Sequence, residues 1–171
     1  ITEIKIWFPK DQPSISTDIK KQLDGIVPEI LLFLNHTRCI NVIQNDVATK
    51  IECIHENLKN HVKKTVGDRS WKIFDTEDQL LPNTKSFYRI KVALREDLSD
   101  TYRKLFTYFP TQVNFNLPCL VHGTFELNSS RNHLVDSPLN KTILNKLSAF
   151  LLDISNELAK EKVDWRPWRL L

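Results

Sequence analysis

Methionine is missing from this chain and glycine nearly so: 171 residues hold no methionine and three glycines. A chain that begins at Ile1 and has no methionine is expected to be a fragment of a longer protein. The scarcity of glycine excludes more. A self-sufficient nucleotide site needs glycine-rich loops where backbone comes close to phosphate. No GxGxxG, no phosphate-loop motif and no DxGxG is present. The nucleophile elbow GxSxG of hydrolases is missing too. Cysteine occurs three times, as Cys39, Cys53 and Cys119, with no CxxC spacing. An odd count without that spacing implies reduced thiols and a cytoplasmic setting. Cys53 and His55 share one face of an expected strand, but no spacing supplies the further ligands a metal needs, so no metal site is expected. No apolar run approaches the roughly 20 residues of a membrane span, and "ILLFL" at 30–34 reads as a core patch, so no membrane contact is expected. No secretory leader is recognisable.

The composition itself is that of a globular protein, 41% hydrophobic and 26% charged. The length suits one medium domain or two small ones. The net charge of +3 is too small to argue nucleic-acid binding by itself, although "NLKNHVKK" (57–64) leaves it open.

Periodicity supplies the elements. "TEIKIWF" (2–8) alternates as a strand until Pro9 and Pro13 break it. Residues 14–35 read as a helix in two pieces, capped at Ser16 or Thr17, interrupted at Gly25 and restarted at Pro28. Its buried stripe is Ile19, Leu23, Val27, Ile30, Leu31 and Leu34. "CINVIQ" (39–44) and "VATKIECI" (47–54) flank Asn45-Asp46 as a hairpin. Residues 56–70 read as loop or short helix. "WKIFDT" (71–76), "SFYRIKVAL" (86–94), "LFTYF" (105–109) and "CLVHGTFEL" (119–127) read as strands. "REDLSDTYRK" (95–104) reads as a solvated loop, and so does the proline-bounded "PTQVNFNLP" (110–118). From Ser137-Pro138 onward, Leu139, Ile143, Leu144, Leu147, Phe150, Leu151, Ile154 and Leu158 recur at helical spacing. The expected fold is α+β: a mixed, mostly antiparallel sheet with helices packed on one face, a two-layer sandwich ending in a long helix.

"FELNSSRNHL" (125–134) is the place where chemistry concentrates. A strand is expected to end at Leu127, and a short helix to begin around Arg131. Unpaired N–H groups at such a junction, with Asn128, Ser129, Ser130 and Arg131, suit a phosphate. Taken on spacing alone, pairing of Arg131 with a nearby acid such as Asp136 stands ahead of anion binding. A hydrolase centre built from Ser129, Ser130, His122, His133 and Cys119 has no supporting motif, and His122 reads as a half-buried structural histidine. The tail "DWRPWRLL" (164–171) reads as an anchor in which two tryptophans pack the chain end or a neighbouring domain.

The stretch 117–161 resembles the middle domain of the ninety-kilodalton heat-shock chaperones, whose L-N-x-S-R junction stands here as Leu127, Asn128, Ser129, Ser130 and Arg131. "YFPTQVNFNLPCLVHGTFELNSSRN" (108–132) is similar to the corresponding run of the sacsin-like proteins, which share the GHKL-type ATPase. "TEIKIWF" resembles the last strand of that ATPase domain, and "PEILLFLNHTRCINV" (28–42) the helix and strand that follow it.

The resemblance implies a ribosomal-protein-like βαβ transducer fold. Residues 1–10 would leave an ATPase domain that the chain lacks, 11–163 would be the transducer, and 164–171 a tail or linker. Arg131 and Asn128 would be catalytic at the ATP γ-phosphate, with Ser129 and Ser130 in the binding loop. ATP and Mg2+ would be held mainly by the preceding domain in cis, so this chain alone would bind no cofactor and catalyse nothing. The full-length protein would be an ATP hydrolase that relays closure, acts on protein clients and dimerises. Val135 stands where the chaperones carry a glutamine that assists at the phosphate. Two other readings remain at this point: an accessory domain of a DNA-processing or defence ATPase, and a non-catalytic interaction domain.

Overall fold

A computed structural model describes residues 13–24, 26–44, 47–81, 85–95, 102–161 and 170–171. The expected strand at 2–8, the turn at Asn45-Asp46 and the tryptophans of the tail lie outside the described residues. The order is α1 (Pro13–Asp24), α2 (Ile30–Phe33), β1 (Cys39–Gln44), β2 (Val47–Asn57), β3 (Val62–Val66), β4 (Arg69–Asp75), β5 (Gln79–Leu80), β6 (Phe87–Tyr88), β7 (Ile90–Leu94), β8 (Tyr102–Thr107), β9 (Phe109–Leu117), β10 (Leu120–Gly123) and α3 (Pro138–Glu161). Eight strands form one sheet in the order β1-β2-β3-β4-β7-β10-β8-β9, and β5 pairs with β6 as a separate ribbon. Within the large sheet β10 runs parallel to β8, and the other neighbouring pairs are antiparallel. The α+β class and the mostly antiparallel sheet agree with the expectation.

The layering does not. Ile90, Val92 and Leu94 of β7, with Val121 and Leu105, pack against Ile143, Leu147, Leu151 and Ile154 of α3. The intervening Ala93, with Leu120, Phe106, Trp71 and Ile73, packs against all four residues of α2. Successive strand residues point to opposite faces. The helices therefore cover both faces of the sheet, and a two-layer sandwich with helices on one face is corrected to three layers. β7 is buried at every residue for this reason, as a strand covered on both sides must be.

Three local expectations also change. Residues 56–70 are mostly strand: β3 and β4 meet in a hairpin whose register closes at Val66 opposite Arg69. Gly67 takes φ 61° at the first central position, where a two-residue turn favours glycine. Residues 110–118 are not a loop, because Phe109–Leu117 is β9, an edge strand. Pro110 is tolerated there, since an edge strand has one side that owes no hydrogen bond to the ladder. The second helical piece stops at Phe33, where Leu34 turns extended with ψ 126°.

α2 is short and apolar all round, as a helix with no solvent face must be. Two buried lysines from the sheet satisfy its terminal carbonyls. Lys64 Nζ donates to Leu32 O at 2.7 Å and to Leu31 O and Leu34 O at 3.4 Å. Lys91 Nζ donates to Phe33 O at 3.3 Å and to the Asn35 side chain. Cations at a helix C-terminus also suit its dipole.

Candidate functional site

The loop that follows β10 is built by closure. β10 ends at Gly123, over which the Phe125 ring lies so closely that a Cβ would meet it at 2.4 Å. Leu127 and Leu134 form an isolated antiparallel bridge. Within it, Asn128 is the hub. Its N–H donates to His133 O at 3.1 Å, and its carbonyl accepts the Arg131 N–H at 3.0 Å. Its side-chain Oδ1 accepts the N–H groups of Asn132 and His133 at 3.1 and 3.2 Å. Its Nδ2 donates to Ser130 Oγ and Asn132 Oδ1, while Ser130 Oγ donates to Asn132 Oδ1. α3 then fastens both stems. Asn140, buried in its first turn, donates to Glu126 O and Val135 O and accepts the Glu126 N–H at 2.9 Å. Ser137 caps that turn through Asn140 N–H.

No helix begins at Arg131. The residue instead takes φ 57°, in the left-handed region that L-residues avoid. Bonds on both sides hold it there. Its N–H bonds to Asn128 O, and its carbonyl accepts the Gln112 N–H of β9 at 2.9 Å. Its Nη2 donates to Thr107 Oγ1 at 2.6 Å and lies 3.5 Å from Phe109 O. Asp136 is taken by Lys141 at 2.8 Å, in an exposed pair. Among the described residues no carboxylate pairs with the Arg131 guanidinium, so the expected ion pair with Asp136 is corrected. Tyr108, between Thr107 and Phe109, also has positive φ, 64°. Two strained non-glycine residues thus lie at or against the turn from β8 to β9, Tyr108 within it and Arg131 bonded to Thr107 and Gln112 on either side. Strain of this kind survives where surrounding structure over-determines it, and it concentrates at functional sites.

The other sequence candidates separate. Asn128 and Ser130 have their side chains engaged inside the loop, so they shape it. Ser129 is exposed beside them. Val135 holds its stem by backbone bonds and turns a 41% exposed side chain outward. Cys119 and His122 lie on opposite faces of the sheet, with Cys119 in the α3 core and His122 against Phe33 of α2. Burial pushes the Cys119 thiol up to about 12, which suppresses the nucleophilic thiolate. No nucleophile and base come together among these residues. Cys53 and His55 share β2, and burial holds the His55 pKa below its ordinary value.

Sequence reading missed a charged network beneath the α2 face. Arg89 donates from Nε and Nη2 to both oxygens of Asp75, each at 2.8 Å, and Lys91 Nζ lies 3.6 Å from Asp75. Burial works to raise the Asp75 pKa, but the Arg89 hydrogen bonds and the Lys91 charge prevail and hold it below the usual carboxylate value. The signal was the alternation Arg89, Lys91 against Asp75, which needs the strand register to be seen. The network runs from the buried Lys91 under α2 to the half-buried Arg89 and Asp75, and Arg89 also reaches the exposed Asp78 at 3.5 Å.

An ATP molecule fits these residues in one respect. The loop offers a guanidinium whose Nε and Nη1 carry no bond among the described residues, suited to the terminal phosphate. The Asn128 amide and the Ser130 hydroxyl are engaged with each other and with Asn132, so they form no cradle for the remainder of a nucleotide. No protein-family model, curated protein or solved structure matches this chain.

Proposed function

We propose that this chain is the transducer domain of a chaperone-like, GHKL-type ATPase, and that Arg131 is its contribution to catalysis. The observation that carries the reading is Arg131 itself: a guanidinium with no carboxylate partner among the described residues, at the surface, on a strained backbone that its neighbours hold in place. An exposed cation on so fixed a loop is suited to an anion brought by another domain. A guanidinium set against the γ-phosphate neutralises charge that develops as the phosphoryl group transfers. Because ATP and Mg2+ are held by the preceding domain, hydrolysis waits on docking, and docking is then the event relayed to clients or to a second subunit. The residues of this chain bind one phosphate edge, orient it and report its presence.

The test is nucleotide turnover by the full-length protein with Arg131→Ala. Loss of an arginine in this role lowers kcat by about 10³-fold or more, with ATP affinity retained. Unchanged turnover refutes the proposal.

A further inference from the structure

We infer that Thr107 is a positioning residue for Arg131, and that its hydroxyl aims the guanidinium at the phosphate. The inference rests on the proposed role of Arg131. Thr107 is the last residue of β8, and its Oγ1 accepts from Arg131 Nη2 at 2.6 Å, the shortest bond Arg131 makes among the described residues. The neighbouring Phe109 O stands 3.5 Å from the same nitrogen, too far to replace it. An exposed arginine otherwise samples many rotamers, and fixing it costs conformational entropy at the moment of reaction. Here that ordering is done in advance. Thr107 occupies Nη2 and leaves Nε and Nη1 to the anion, since a guanidinium carries five N–H donors.

Two further contacts make the aim specific. Gln112 N–H holds the Arg131 carbonyl, so β8 and β9 grip the residue at its side chain and its backbone together. Tyr108, one residue after Thr107, sets its ring edge against His122 at 4.6 Å, which anchors the reversal to the buried sheet. Thr107 therefore acts from a rigid strand end onto a strained loop.

The experiment compares Thr107→Val, Thr107→Ser and Arg131→Ala in the full-length protein, with steady-state ATP turnover and a melting curve for each. Removing the acceptor while keeping the shape leaves the guanidinium present but misdirected, and small misplacements cost about 10²-fold in rate. Thr107→Val is expected to lower kcat by about 10- to 100-fold with KM for ATP unmoved, and Thr107→Ser to restore most of it. Wild-type turnover in Thr107→Val alongside a dead Arg131→Ala overturns the positioning role and spares the arginine. Equal losses in Thr107→Val and Thr107→Ser overturn it as well, because the hydroxyl is then not the agent. Wild-type turnover in Arg131→Ala overturns the arginine reading and this inference with it.

Discussion

Acid is expected to weaken this domain in a window set by His122. The imidazole has no exposed surface, and among the described residues neither ring nitrogen has a hydrogen-bond partner. It lies among Phe33 of α2, Tyr108 at the β8 turn and the charges of Lys91, Asp75 and Arg89. Burial first, and the Lys91 ammonium second, bring its pKa down from 6.5 to about 4. Between those values the unfolded chain holds a proton that the folded chain refuses, so stability falls as pH falls. The full interval between 6.5 and about 4 corresponds to about 3 kcal/mol. Asp75 acts later: its depressed pKa supplies stability that is intact above the ordinary carboxylate value and lost only on further acidification. The assay is urea denaturation of this chain at pH 7 and at pH 4.5, followed by tryptophan fluorescence, since Trp71 is fully buried. Wild type is expected to lose about 2–3 kcal/mol between the two, and His122→Phe to lose far less, with a residue left for His55. Equal losses in wild type and His122→Phe would show that His122 does not set the acid window.

The other predictions concern the two sets of helix and loop anchors. Lys64→Met leaves the carbonyls of Leu31, Leu32 and Leu34 without a donor and is expected to cost about 2–3 kcal/mol by chemical denaturation. A neutral result would show that α2 does not need the ammonium. Arg131→Gly is expected to stabilise the domain by up to about 1 kcal/mol, because glycine adopts φ 57° without strain. The same change should abolish turnover in the full-length protein, so stability and activity move in opposite directions. Asn140→Ala is expected to free residues 126–135 from α3, seen as faster hydrogen exchange at Glu126 and Val135 and a loss of about 2–3 kcal/mol.

Sequence periodicity found the elements whose apolar residues recur at helix or strand spacing. α3 was legible from its apolar stripe and its Ser137-Pro138 start, and β1, β2, β4 and β7 from alternation. Elements whose pattern is interrupted by a residue unusual in strands were misread. β3 points Val62, Lys64 and Val66 inward, and a lysine in the middle breaks the alternation that marks a strand. β9 carries Pro110, a residue that argues against a strand until its edge position is known. The layering escaped notice because Lys91 and Ala93 do not look like a second buried face, although one caps α2 and the other packs under it. At the site, Arg131 was visible by its motif, but Thr107 was not. Twenty-four residues separate the two, and their contact exists only once β8 and the loop have folded together.

The proposed role of Arg131 requires this loop to meet a γ-phosphate. Hydrogen exchange on the full-length protein tests it most directly, comparing ADP with a non-hydrolysable ATP analogue. Backbone amides of residues 128–133 are expected to exchange more slowly with the analogue than with ADP, and Arg131→Ala should erase the difference. Identical exchange in the two nucleotide states would contradict the account.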